Sequence, residues 1–130
     1  MSLSERYRTA LSPRRFLKSL GHAFAGVSGL FASEANALIH LLFVAAVPVA
    51  AFLLNVSATE WCLLILCIGL VLAAEALNTA IERLSDRISQ EYSPLIKDAK
   101  DLAAGAVLIL SCTAAAVGLI IFIPAVCRLL

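Results

Sequence analysis

The sequence predicts an all-α membrane protein, with an N-terminal amphipathic surface helix and three transmembrane helices in one membrane domain, residues 1–130. Three observations carry this. Hydrophobic residues make up 62% of the chain and charged residues only 15%, with a mean hydropathy of +0.96, far above soluble averages. The apolar residues gather into three long runs, and the charges collect between them. One run, from Trp61 to Ala74, holds no charge in fourteen residues and then continues without glycine or proline into a strongly polar end.

The surface helix is expected over 12–34. Ser12-Pro13 supplies an N-cap hydroxyl followed by proline at the first helical position. Phe16, Leu17, Leu20, Phe24, Val27 and Phe31 then recur at helical spacing, while Arg15, Lys18 and His22 share another face. Such a helix lies in the membrane interface with its basic side chains toward the headgroups. The first span is expected over 35–54, with Asn36 and His40 near one end and Pro48 in its middle, where a span tolerates it. After a short turn, Trp61 marks an interface and opens the second span, 61–86. Residues 87–101 form the largest polar piece between spans and contain Glu91-Tyr92-Ser93-Pro94. The third span, 102–126, opens with Ala103-Ala104-Gly105-Ala106, small residues that let helices approach closely.

Lys and Arg concentrate in residues 1–34 and 83–101 and are absent from the 55–60 turn. The positive-inside rule therefore expects the N-terminus and the 87–101 segment in the cytoplasm and the C-terminus outside. The polar N-terminus lacks the pattern of a cleavable signal. A net charge of +1 gives no footprint for nucleic acid. Cys62, Cys67, Cys112 and Cys127 have no CxxC spacing, so they read as small apolar residues within spans.

The chemistry gathers at Glu75-Ala-Leu-Asn78-Thr-Ala-Ile-Glu82-Arg-Leu-Ser-Asp86. Steps of three, four and four place Glu75, Asn78, Glu82 and Asp86 on one helical face. A carboxylate at the centre of a span costs about 2.5–3.5 kcal/mol on insertion scales, and Glu75 lies about 10 Å deeper than Glu82 at the helical rise. By the expected topology, Glu34, Lys100 and Asp101 join this face at the cytoplasmic boundary. Two carboxylates near a phosphate-binding lysine suit a magnesium nucleotide, and a deeper carboxylate suits proton abstraction from a lipid hydroxyl. Plainer readings exist for each residue. Glu82 and Asp86 can be a solvated helix end paired with Arg83 or Arg87. Lys100-Asp101 can be an interface anchor and cap, and Glu34 a helix end. Glu75 and Asn78 can be a polar clamp between helices, though a carboxylate is a costly one. Asn36 and His40, one turn apart, can bond across helices or belong to the site. No Walker A motif or glycine-rich phosphate loop is present. A proton-coupled transporter built on Glu75 is the rival from another class. It would leave Glu34 and Lys100-Asp101 without use, and the outer halves of the spans hold no Asp, Glu, His, Lys or Arg to continue a path.

The same stretch resembles the signature of the prokaryotic diacylglycerol kinase family, Glu-x-x-Asn-[Ser/Thr]-[Ala/Ser]-Ile-Glu-x-x-x-Asp, which it matches in full. Glu91-Tyr92, Ala99-Lys100-Asp101 and Ala104-Gly105-Ala106-Val107-Leu108 also resemble the family at the expected spacing. Ala37-Leu38 departs from the aromatic–Arg pair of many relatives, and Ser93 stands where a histidine is common. The resemblance implies a bacterial inner-membrane, multi-pass homotrimer that transfers phosphate from ATP, with Mg²⁺, to diacylglycerol or undecaprenol. It further implies Glu75 as the catalytic base with Asn78 beside it, and Glu34 and Glu82 as metal ligands. Glu91, Tyr92, Ser93, Lys100 and Asp101 are implied as ATP contacts together with Glu34 and Glu82, and Arg15 and His22 as neighbours of the nucleotide or of the lipid headgroup.

Overall fold

The structure is a computed structural model and describes residues 12–33, 37–88 and 91–129. Its regular elements are all helical: α1 (Pro13–Ser33), α2 (Ala37–Leu53), α3 (Ala58–Ile88) and α4 (Pro94–Cys127). They fall into two compact units, one containing α1 and the other α2 to α4.

In the first unit, α1 begins as its sequence predicts. The Arg15 backbone N–H donates to the Ser12 carbonyl at 2.9 Å and lies 3.3 Å from the Ser12 hydroxyl, and Pro13 occupies the first helical position. The apolar row Phe16, Leu17, Leu20, Phe24 and Val27 is exposed along its length.

The second unit is organised by its turns. α2 ends in a Schellman arrangement. Asn55 adopts a left-handed φ of 50°, which asparagine tolerates better than most residues. The Val56 N–H reaches back to the Ala51 carbonyl at 3.2 Å, and the Asn55 N–H to that of Phe52 at 3.3 Å. Ala51 and Val56 are both buried, which supplies the apolar contact this motif favours. Two residues later Ser57 and Glu60 form a capping box. The Glu60 N–H donates to the Ser57 hydroxyl at 3.3 Å, and the Ser57 N–H donates to Glu60 Oε2 at 2.6 Å. α3 therefore starts at Ala58, ahead of the tryptophan expected to open it.

α4 starts ahead of the expected span 102–126: the polar residues 94–101 are already helical. Ser93 is the N-cap residue with Pro94 just inside, the same pair of signals that opens α1. Lys97 pairs with Asp101 one turn on, which supports a solvated helical stretch. Polarity here marks a helix that emerges from the apolar zone.

α3 and α4 have 31 and 34 residues and are long and apolar enough to cross a membrane. α2 has 17 residues, or about 25 Å of helix. The last turn of α2, the start of α3 and the end of α4 converge on Ala51, Val56, Leu64, Ile121 and Ala125, flanked by Trp61 and Phe122. Beyond this cluster the large aliphatic side chains of all three helices are mostly exposed. The four cysteines are free thiols, as their spacing implies.

Candidate functional site

α3 and α4 run antiparallel, so the polar end of α3 lies beside the first turns of α4. The face predicted from spacing exists, and each of its four members meets a partner. At the deepest position, Glu75 Oε1 lies 3.0 Å from His40 Nε2 of α2, with 14% and 15% of the two side chains exposed. The ring N–H is not aligned on the carboxylate, so this is a close polar contact and not yet a straight hydrogen bond. One turn on, Asn78 Nδ2 donates to Glu82 Oε1 at 3.2 Å, leaving the buried Asn78 Oδ1 without a hydrogen bond. At the polar end, Lys100 Nζ donates to Asp86 Oδ1 at 3.0 Å and ties α4 to α3.

Lys100 is a partner of Asp86 that the plain reading, with Arg83 or Arg87, did not include. An antiparallel neighbour presents Lys100 at the same level, which the order of residues along one helix does not reveal. Lys100 thus joins the polar face. Asp101 instead pairs with Lys97 on the exposed side of α4, and its carboxylate, by hydrogen bond first and by charge second, holds the Lys97 ammonium above its ordinary pKa. Lys97 stands in the opening turns of α4, ahead of the apolar stretch.

The remaining expected contacts are distributed as follows. Glu91, Tyr92 and Ser93 make up the described part of the connection into α4. Tyr92 is 80% exposed, and the Ser93 carbonyl accepts from the Lys97 N–H at 3.0 Å. Arg15 and His22 are exposed on α1, in the other unit. Glu34 and Asn36 lie outside the described residues.

Among the described residues no group of three or more His, Cys, Asp or Glu is arranged to hold a metal ion. The donor chemistry nevertheless fits magnesium. Glu82 offers carboxylate oxygen, and Asn78 Oδ1 is a buried acceptor with nothing to accept. Both are hard oxygen donors of the kind that ion takes, with the rest of its shell drawn from water and phosphate.

His40 is the site residue that sequence reasoning left undecided. Its helical position showed an ionisable group near one end of an apolar run. Its proximity to Glu75 depends on how α2 packs on α3, which no spacing rule supplies.

Comparison with known proteins places these residues in a family. The model of prokaryotic diacylglycerol kinase matches residues 21–122, which include His40, the whole polar face of α3, and Lys100-Asp101. An undecaprenol kinase of Bacillus subtilis is 41% identical over 110 residues, covering 85% of this chain and 89% of the relative. A diacylglycerol kinase of Synechocystis is 43% identical over 109 residues, 83% of this chain and 62% of the relative. The diacylglycerol kinase of Escherichia coli K12 is 38% identical over 95 residues, 73% of this chain and 78% of the relative. Through the matched polar face and the extent of these similarities, the chain belongs to the prokaryotic diacylglycerol kinase family.

Proposed function

We propose that the protein is a lipid kinase that transfers the terminal phosphate of ATP to the hydroxyl of diacylglycerol or undecaprenol, at the cytoplasmic face of a bacterial inner membrane. The observation that carries this reading is the gradation of depth along α3. A shielded carboxylate, Glu75, sits about 10 Å below Glu82, which stands at the polar end beside an unsatisfied amide oxygen. A lipid alcohol enters such a site from the bilayer, and a nucleotide enters from water.

Glu75 accepts the proton of the lipid hydroxyl, which makes that oxygen a nucleophile for the terminal phosphorus. Glu82 and Asn78, together with Glu34, are the residues that would hold Mg²⁺. When bound, that ion neutralises charge on the phosphate oxygens. Lys100 reaches the same phosphates by exchanging Asp86 for a phosphate oxygen, and Asp101 with Glu91, Tyr92 and Ser93 borders the nucleotide. Arg15 and His22 attend the nucleotide or the lipid headgroup. Shielding of Glu75 keeps water from competing with the lipid. The working unit is a membrane-embedded homotrimer of three-span subunits with the N-terminus in the cytoplasm. In support, the aliphatic faces of α2 to α4 are largely exposed within one subunit, and a Cβ added at Gly69 or Gly105 meets no atom within 4 Å. Each relative reported above is named as a kinase, which leaves the transporter reading without support.

Transfer of label from γ-labelled ATP to diacylglycerol and to undecaprenol in mixed micelles tests the proposal. Wild type labels at least one lipid, whereas Glu75→Gln loses about 10²–10⁴-fold in turnover, the usual contribution of a general base, while still binding nucleotide. Turnover by Glu75→Gln within a few-fold of wild type would remove Glu75 from the mechanism.

A further inference from the structure

We infer that His40 is a positioning residue for the lipid-phosphorylating step, holding one oxygen of Glu75 so that the other faces the lipid hydroxyl. The inference rests on the reading of Glu75 as the base. Its own foundation is the 3.0 Å approach of His40 Nε2 to Glu75 Oε1, in a contact where both side chains are largely shielded.

Two atoms that each present a lone pair repel at that separation, so the contact is favourable once a proton turns in between them. A carboxylate is an acceptor only, so the proton belongs on Nε2 and the imidazole is the donor. Among the described residues this nitrogen makes no hydrogen bond, and Glu75 Oε1 is the acceptor within its reach. The N–H points well away from Oε1, so forming the bond takes a turn of the imidazole or of the carboxylate. Hydrogen bonds of catalytic groups are commonly long or misaligned before substrate arrives and tighten in the complex. The carboxylate of Glu75 turns freely about its last bond unless one oxygen is held. With Oε1 engaged by His40, the hydroxyl proton of the lipid passes to Oε2. The lipid oxygen then bonds to phosphorus, and the bond from phosphorus to the bridging oxygen of ADP breaks. His40 retains its own proton throughout.

The position of His40 strengthens the case. It comes from α2, whereas the other polar partners of the α3 face among the described residues, Glu82 and Lys100, come from α3 itself and α4. It bears on the proton acceptor alone and touches neither Asn78 nor Glu82 by any hydrogen bond, so its loss is expected to spare nucleotide binding.

The experiment compares His40→Leu, His40→Asn and His40→Gln in the full-length protein in mixed micelles, with Glu75→Gln assayed alongside. Leucine removes the donor, asparagine keeps one that is too short, and glutamine restores an N–H at nearly the original reach. The expected result is a fall in kcat of about 10–100-fold for His40→Leu and His40→Asn, the scale of a misplaced reacting group. The KM for magnesium-ATP stays within twofold, and His40→Gln returns to within about threefold of wild type. Normal elution on size exclusion identifies the variants that fold, and His40→Asn decides the matter if His40→Leu does not. Unchanged kcat in the folded donorless variants overturns the inference, as does a rise in nucleotide KM that accounts for the loss, or a glutamine variant no better than leucine. An inactive Glu75→Gln beside fully active His40 variants would refute the positioning role alone. An active Glu75→Gln would refute the reading of the base on which it stands.

Discussion

Removing the charge of Lys100 separates its structural contact from its proposed work on phosphate. Lys100 Nζ stands 3.0 Å from Asp86 Oδ1, with 37% and 71% of the two side chains exposed. Two unit charges at that distance attract by about 1.4 kcal/mol in water. Side-chain ordering and salt reduce an exposed pair to about 1 kcal/mol or less in net stability. A charge-assisted bond to a phosphate oxygen contributes about 1.5–3 kcal/mol, which corresponds to a roughly 10–150-fold effect. Lys100→Met should therefore lower kcat/KM for magnesium-ATP by about 10–150-fold while costing the folded protein about 1 kcal/mol at most. A double-mutant cycle with Asp86→Asn supplies the second measurement, with stability read by denaturation in detergent and activity by label transfer. The stability coupling should not exceed about 1 kcal/mol. Asp86→Asn alone should leave Lys100 able to serve phosphate. A Lys100→Met variant with nucleotide kinetics within twofold of wild type refutes the phosphate role. A coupling well above 2 kcal/mol would instead mark the pair as a strut between α3 and α4.

Two further substitutions probe opposite ends of the molecule. Glu82→Gln should raise the magnesium concentration for half-maximal turnover by at least about tenfold, since even outer partners of a metal site cost 10–100-fold when lost. An unchanged magnesium titration would exclude the ligand role. Leu64→Ala opens a cavity in the cluster with Ile121 and Ala125 and should cost about 2 kcal/mol in detergent denaturation. That is the low end of the usual range, because lipid replaces water as the reference for an apolar side chain. Leu64 is about 16 Å along α3 from Glu75, so the variant that remains folded should keep its turnover; a parallel loss of activity would show the two ends to be coupled.

The polar face of α3 was legible because 3.6-residue periodicity is a property of a single helix, and no Gly or Pro interrupts residues 70–88. The start of α1 was legible for the same kind of reason, since Ser12-Pro13 acts within four residues. Partners across helices were not. Asp86 pairs with Lys100, fourteen residues away, because α4 returns alongside. His40 and Glu75 are separated by more chain still. The helical start of α4 at Pro94 is a finer point than the span boundaries, and it too has a local signal. Ser93-Pro94 repeats the signal of Ser12-Pro13, and Lys97 and Asp101 are spaced to support a helix through a polar stretch. The capping box of Ser57 and Glu60 is likewise written in the residues, as Ser-x-x-Glu, and sets the start of α3 ahead of Trp61.

α4 is one rod of about 51 Å, roughly 20 Å longer than the hydrocarbon layer it suits, with no proline between Pro94 and Pro124 to act as a hinge. One end is anchored in the cluster around Ile121 and Ala125, and the other carries Lys100. Thinner bilayers lean such a rod and thicker ones stand it upright. A stiff lever anchored at one end converts that lean into sideways travel at the other, where Lys100 meets Asp86. The acyl-chain length of the surrounding lipid thereby acts on the end of α4 to which the proposal assigns the phosphate contact.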